Sequence, residues 1–275
     1  MEPGSRHPGI DQGIHHSQEL DLFERLSPRV HLPVEQITAV VLAGGLGTRL
    51  RSVLPDLPKP MAPVNGRPFV EWVVRYLAAQ GIQRVVISTG YRADVIASHF
   101  EREPVRGVSV RCVAEPESLG TAGGFLYSVR ATAEPPAAWL VVNGDSLTLA
   151  PLQSLFAGLE DPEVNGSLLA IAVPDASRYG TVEANARGEL IAFHEKRPGS
   201  GLINAGVYLF RAALVEAFPG GKPLSFERDV FPFLVREGRR IKVCVTQADF
   251  LDIGTPESLP MAEGFVREHA GWFQG

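Results

Sequence analysis

Cysteine is scarce in this chain of 275 residues, which contains only Cys112 and Cys244. Each lies in an apolar, β-branched run, so two separate buried thiols are expected rather than a disulfide framework, in keeping with a reducing, cytoplasmic compartment. No run of about 18 apolar residues occurs, and the N-terminus lacks the continuous apolar stretch of a signal peptide; neither a membrane span nor export is expected. Surplus positive charge is missing too: 26 Lys and Arg stand against 31 Asp and Glu, a net charge of -5. The chain therefore has no general field for a nucleic-acid backbone, and any basic groups that matter must be local. What is present is 45% hydrophobic and 21% charged residues, the balance of a globular protein with a sizeable core.

Residues 1–35 differ in composition from the rest, being polar with scattered Pro and Gly. They also hold His7, His15, His16 and His31, in no spacing that repeats a metal-ligand pattern. A flexible extension with one short amphipathic turn near Leu20 to Leu26 is expected, ahead of one catalytic unit spanning 36–275. From Ile37 the pattern is strand, helix, strand: ITAVVLA, a helix from Pro68 that stops at Gly81, RVVIST, the helix RADVIASHFE, VSVRCV, the helix AGGFLYSVRA, and WLVVNGD. Alternation of this kind predicts a mainly parallel sheet with helices on both faces. After residue 150 strands follow one another instead: SLLAIAV, YGTVEA, ELIAFHEK and LINAGVYLF, with NARG as a turn. Helices are predicted at RAALVEAF and SFERDVFPFLVREG, then the strand IKVCVTQ, the loop ADFLDIGTPE and a last helix.

Chemistry is concentrated in LAGGLGTRLRSVLPDLPKPMAP, residues 42–63. Gly44, Gly45 and Gly47 directly follow the first strand, where missing β-carbons let backbone amides approach a phosphate or base. A dinucleotide fingerprint fails, because Leu50 stands where a third glycine is needed, and a P-loop fails for want of Gly-Lys-Ser/Thr. A tight turn explains the glycines but not the two cations beyond them, Arg49 and Lys59, the latter flanked by Pro58 and Pro60. Glycine turn and cations together indicate a triphosphate site. Asp145 ends an apolar strand, the edge of an open α/β sheet where ligands bind. Asp252, in FLDIGTPE, sits among apolar residues, an awkward place for a carboxylate without a counter-charge. Two carboxylates beside a polyphosphate suit Mg²⁺, which binds few protein ligands.

These segments, with Pro58-Lys59-Pro60, Asn143-Gly144-Asp145, Glu195-Lys196, Asn204-Ala205-Gly206 and Asp252 to Glu257, resemble the sugar-1-phosphate nucleotidylyltransferases. The resemblance runs from about Ile37 to Glu257. Within that family the wording of residues 42–69, LINAGVYLF and SFERDVFP is most similar to the D-glycero-α-D-manno-heptose 1-phosphate guanylyltransferases. The resemblance implies a Rossmann-like sheet with a smaller antiparallel sugar-binding portion and no C-terminal β-helix. It also implies a nucleoside triphosphate and a sugar 1-phosphate as partners, Mg²⁺ as cofactor, and an oligomer of identical chains as a common state. By position, Leu42, Gly44, Gly45, Gly47 and Thr48 would line the nucleotide, with Gly120 and Thr121 beside its base. Arg49 would contact its phosphates and Lys59 the α-phosphate, while Asp145 and Asp252 would hold Mg²⁺. Gly180, Glu195, Lys196, Asn204 and Gly206 would receive the sugar phosphate.

Duller readings compete. Glu195 and Lys196 can be a solvated pair, Asn204-Ala205-Gly206 a strand bulge, Tyr179 packing, His194 structural, and Arg51 and Arg67 surface residues. A carboxylate such as Glu115 or Glu117 could accept the N1–H and exocyclic amine of guanine, groups that uracil and thymine do not jointly offer. Mannose 1-phosphate with GTP and glucose 1-phosphate with UTP or dTTP stay open. So does a non-catalytic sensor of nucleotide sugars, although such a protein should have lost one of Arg49, Lys59, Asp145 or Asp252.

Overall fold

The computed structural model describes residues 32–45, 47–50, 52–194 and 198–274. The expected extension up to residue 31, with its four histidines, lies outside the described residues, as do Leu46, Arg51, Glu195 and Lys196. Thirteen strands are described: β1 Ile37–Ala43, β2 Pro63–Val64, β3 Arg67–Pro68, β4 Arg84–Thr89, β5 Ser109–Ala114, β6 Ala138–Asn143, β7 Ser146–Leu149, β8 Gly166–Val173, β9 Thr181–Ala184, β10 Leu190–His194, β11 Gly201–Arg211, β12 Ile241–Thr246 and β13 Asp249–Asp252. The α-helices are α1 Phe69–Ala79, α2 Ala93–Arg102, α3 Thr121–Arg130, α4 Gln153–Gly158, α5 Ala212–Val215, α6 Phe231–Arg236 and α7 Met261–Glu268.

Nine strands form one sheet, along the path β10-β9-β11-β6-β1-β4-β5, with β8 paired to β11 and β12 to β8. The β6–β1, β1–β4 and β4–β5 pairs are parallel; β11 runs antiparallel to β6, β8 and β9. The parallel α/β strands are those the alternation predicted, and the antiparallel portion is the one the resemblance implied. Period-two side chains divide its core. Ala39 and Val41 of β1 and Leu140 and Val142 of β6 belong to one apolar cluster, while Val40, Trp139 and Val141 belong to the other. Helices α1 and α2 cover the first face through Phe69, Val73, Leu77 and Ile96, and α3 and α6 the second through Phe125, Phe231 and Leu234. Buried on both faces, β1 and β6 read as continuous apolar runs.

Helix α1 ends as the sequence predicts. Gly81 has φ +86, and the amides of Gly81 and Ile82 return to the carbonyls of Ala78 and Leu77, a left-handed cap that a β-carbon would strain. Three expectations about elements need correction. The helix predicted over 211–218 is only the short α5, because Ala217 and Phe218 tighten into three-residue turns before Pro219 and two glycines. The helix predicted from Ser225 opens with a five-residue π-helical turn, Phe226–Val230, before α6. The predicted loop after β12 contains β13, which pairs antiparallel with β7. Neither four-residue strand has a pattern strong enough to declare itself; each exists because the other lies alongside.

Both thiols are half-buried and unpaired, and burial pushes each up to about 11. No helix among the described residues is long and apolar enough to cross a membrane.

Candidate functional site

The site lies at the carboxyl ends of β1, β4 and β6. Leu42 and Ala43 end β1, the 3-10 turn Thr48–Leu50 follows the glycine loop, and a second 3-10 turn, Lys59–Met61, lies beneath it. The loop rests on that second turn, since a β-carbon on Gly47 would stand 3.0 Å from the Lys59 β-carbon. Gly45, Thr48, Arg49, Lys59, Asp145 and Asp252 line one cavity of about 730 Å³. A second cavity of about 660 Å³ shares Leu42, Gly45 and Asp145 with it and adds Gly44, Glu115, Gly120, Thr121 and Asn143.

Asp145 and Asp252, distant in sequence, are brought together by the β7–β13 pair. Asp252 is in register with Ser146, and the amide of Ile253 donates to the carbonyl of Asp145 at 3.0 Å. Lys59 Nζ lies between the two carboxylates, 2.7 Å from Asp145 Oδ2 and 3.7 Å from Asp252 Oδ1. Burial raises the Asp252 pKa above the ordinary aspartate range, and the charge of Asp145 adds to the rise; Lys59 and the amide of Gly254 oppose it without cancelling it. Two carboxylates therefore share one ammonium group, a donor set that a further divalent cation would complete. Among the described residues there is no cluster of three or more His, Cys, Asp or Glu able to hold a metal. Arg49 is exposed and, among the described residues, has no hydrogen-bond or ion-pair partner.

On the other side of Asp145, Glu115 follows β5 and is held at the cavity wall. Ser88 Oγ donates to its Oε1 at 2.9 Å and the amide of Leu119 to its Oε2 at 3.3 Å, and a side chain on Gly44 or Gly124 would collide with it. Glu117 is exposed and reaches Lys222 at 3.5 Å. Of the two glutamates considered for a base, only Glu115 lines the crevice. Gly120 and the start of α3 are clamped by Leu224, whose carbonyl accepts from the amides of Ala122 and Gly123 at 2.9 and 3.1 Å.

Asn204 to Gly206 is a bulge: the β11–β8 register shifts between Asn204 and Tyr208. Gly206 has φ +70, and a β-carbon there would collide with the Asn143 amide, so the bulge is seated against the crevice. Asn204 Oδ1 accepts from the Gly206 amide at 3.0 Å, and the Gly180 carbonyl accepts from the Asn204 amide at 2.9 Å. Gly180 and Thr121 line a third cavity, of about 1070 Å³, together with His194 and Glu227.

Tyr179 packs edge-on against Phe250, at 5.4 Å between ring centres, and His194 Nε2 lies 3.1 Å from Glu183. Arg67 is more than a surface residue, because its Nη1 pairs at 2.5 Å with Glu71, a carboxylate only 1% exposed. Sequence reasoning missed this pair, and it missed Ser88 and Glu227. Charges four apart, at 67, 71 and 75, were the available signal for the first.

Residues 38–269 match the family described as Nucleotidyl transferase. The chain is 37% identical over 228 residues to a D-glycero-alpha-D-manno-heptose 1-phosphate guanylyltransferase of Aneurinibacillus thermoaerophilus, covering 82% of this chain and 96% of that protein. It is 34% identical over 247 residues to a mannose-1-phosphate guanylyltransferase of Mycobacterium tuberculosis, covering 89% of this chain and 67% of the other. Among solved structures, HddC from Yersinia pseudotuberculosis complexed with GMP-PN superposes with a TM-score of 0.73 at 33% identity, over 83% of this chain and 98% of that one.

Proposed function

We propose, for a chain that belongs to the nucleotidyl transferase family and is a sugar-1-phosphate nucleotidyltransferase, that its substrates are GTP and D-glycero-α-D-manno-heptose 1-phosphate. The products are then the GDP-sugar and pyrophosphate. The convergence of Lys59, Asp145 and Asp252 beside the glycine loop carries the reading of the reaction. Similarity to the heptose enzyme over 96% of its length supports the choice of substrates, as does the guanine-type ligand named for the HddC structure. GTP with mannose 1-phosphate is the second reading, favoured by the 34% identity to the mycobacterial mannose enzyme.

An oxygen of the sugar 1-phosphate attacks the α-phosphorus of the triphosphate. The nucleophile is already anionic, so no protein base is required, and the difficulty is to bring two anions together. The glycine loop offers amides to the phosphates, Arg49 steadies the departing pyrophosphate, and Lys59 meets the α-phosphate while keeping the two aspartates in place. Glu115 accepts from the guanine N1–H and exocyclic amine, with Gly120 and Thr121 beside the base. Gly180, Glu195, Lys196, Asn204 and Gly206 receive the sugar phosphate. The family works with a divalent metal; Asp145 and Asp252 would hold it, and we take it to be Mg²⁺. When bound, it supplies positive charge to the phosphate oxygens. The unit from residue 36 onward carries all of this, in a cytoplasmic setting that suits two free thiols.

Pyrophosphate release and product mass, measured for a matrix of nucleoside triphosphates against sugar 1-phosphates, test the assignment. GTP with the heptose 1-phosphate is expected to give the highest kcat/KM. Preference for mannose 1-phosphate would select the second reading, and preference for UTP or dTTP would overturn both.

A further inference from the structure

The third cavity contains an acidic group that the reaction as described does not use. Glu227 stands on the π-helical turn Phe226–Val230, a rare form of backbone that is frequent at functional sites. The turn is tied to the nucleotide side of the molecule, because the Phe226 amide donates to Thr121 Oγ1 at 3.0 Å. It is pinned at its start, where the Ser225 amide donates to Asp229 Oδ2 at 2.7 Å. The Glu227 carboxylate accepts from Ser225 Oγ at 2.9 Å and from Tyr208 OH at 3.3 Å. Both donors are neutral hydroxyls, and among the described residues no cation pairs with Glu227.

A carboxylate has about four acceptor positions and no donor. Two are occupied, and the group lines a cavity of about 1070 Å³ that also contains Gly180. Arg228 lines the same cavity without pairing with Glu227; the carboxylate itself repels a phosphate and attracts hydroxyls, so it suits the polyol end of a sugar 1-phosphate rather than the phosphate end. Its aim is fixed by a relay: Tyr208 OH accepts from Asn204 Nδ2 at 2.7 Å while donating to Glu227. Burial pushes the Tyr208 hydroxyl well above its ordinary range, and the charge of Glu227 adds to this, so the hydroxyl keeps the proton it donates.

We propose that Glu227 accepts hydrogen bonds from the hydroxyls of the sugar and so selects which sugar 1-phosphate is used, an assignment that rests on the reaction given above. The test compares native protein, Glu227→Gln and Tyr208→Phe on the sugar 1-phosphate turned over fastest and on its monodeoxy derivatives. Native protein should disfavour at least one deoxy derivative by about 10- to 100-fold in kcat/KM, as loss of a hydrogen bond to a charged group does. Glu227→Gln should lose a similar factor on the parent sugar, chiefly as a higher KM for the sugar phosphate. Its KM for the triphosphate should be unchanged, and it should no longer distinguish that deoxy derivative from the parent. Tyr208→Phe cuts the relay but keeps the carboxylate, and should keep the discrimination. A Glu227→Gln protein that ranks the derivatives as native protein does would overturn the assignment alone, as would equal losses on every derivative in both variants. Native protein that turns over no sugar 1-phosphate would overturn the reaction as well. Should Glu227→Gln fail to fold, Glu227→Asp, which withdraws the oxygens by one methylene, takes its place with the same expected loss of discrimination.

Discussion

Two acidic centres in this molecule are supplied with positive charge in opposite ways. Glu71, on α1, is buried to 1% exposure and meets Arg67, Arg75 and His99 at 2.5, 2.8 and 2.8 Å. Burial pushes its pKa upward, but hydrogen bonds from Arg75, His99 and Arg67 outweigh burial and hold it below the ordinary range. Asp252 has a raised pKa instead: burial raises it, the charge of Asp145 beside it adds to the rise, and Lys59, 3.7 Å away, does not cancel the two. A carboxylate with several cations is satisfied and holds structure together. A pair that shares one cation is left able to accept more positive charge, which is the property that the proposed metal site requires.

Removing the metal should sharpen this contrast most. A chelator is expected to abolish pyrophosphate release, and added Mg²⁺ to restore it, while the thermal midpoint, which depends on centres such as Glu71, changes little. Lys59→Met should lower kcat by about 10²- to 10³-fold, and Asp145→Asn by about 10²-fold or more, in steady-state assays of pyrophosphate. Full turnover by Asp145→Asn would remove that residue from the metal site. Glu71→Gln should do the reverse, losing about 1–3 kcal/mol of stability with kcat/KM intact. At about 2–4 °C per kcal/mol for a protein of this size, a melting curve will resolve the loss.

The smallest effect is in the pH dependence. With its folded pKa below the unfolded value, Glu71 contributes stability above the ordinary carboxylate range, and that contribution is lost as pH falls through the depressed value. Asp252 has the opposite sign. Between its ordinary and raised values the folded state holds the extra proton, so stability declines as pH rises through that window. Asp252→Asn should remove this decline, and unfolding curves at a series of pH values will show it.

Much of the fold was legible in the sequence. β1 and β4 were predicted with their observed bounds, because apolar residues buried on both faces make runs that glycines and a helix start interrupt. The glycine loop, Lys59 and Asp145 were legible for a related reason: each adjoins one of those runs. Asp252 was recognised as an apolar setting without a counter-charge, but its strand was not, since β13 depends on β7 far away in the chain. The Glu71 centre was missed because Arg67 reads as ordinary surface charge until His99 of α2 and the packing of α1 close over the carboxylate. Glu227 was read only as part of a predicted helix.

The order of strands and helices, the two apolar faces and the residue types at the strand ends were determined by the sequence by itself, because period and turn chemistry are local. Which charges meet was decided by the tertiary structure. Lys59 lies between Asp145 and Asp252 only because β7 pairs with β13, and Glu227 joins Tyr208 and Asn204 only because a π-helical turn packs beside the β11 bulge. Electrostatic interaction depends on distance through space and on burial, and neither is a property of position along the chain.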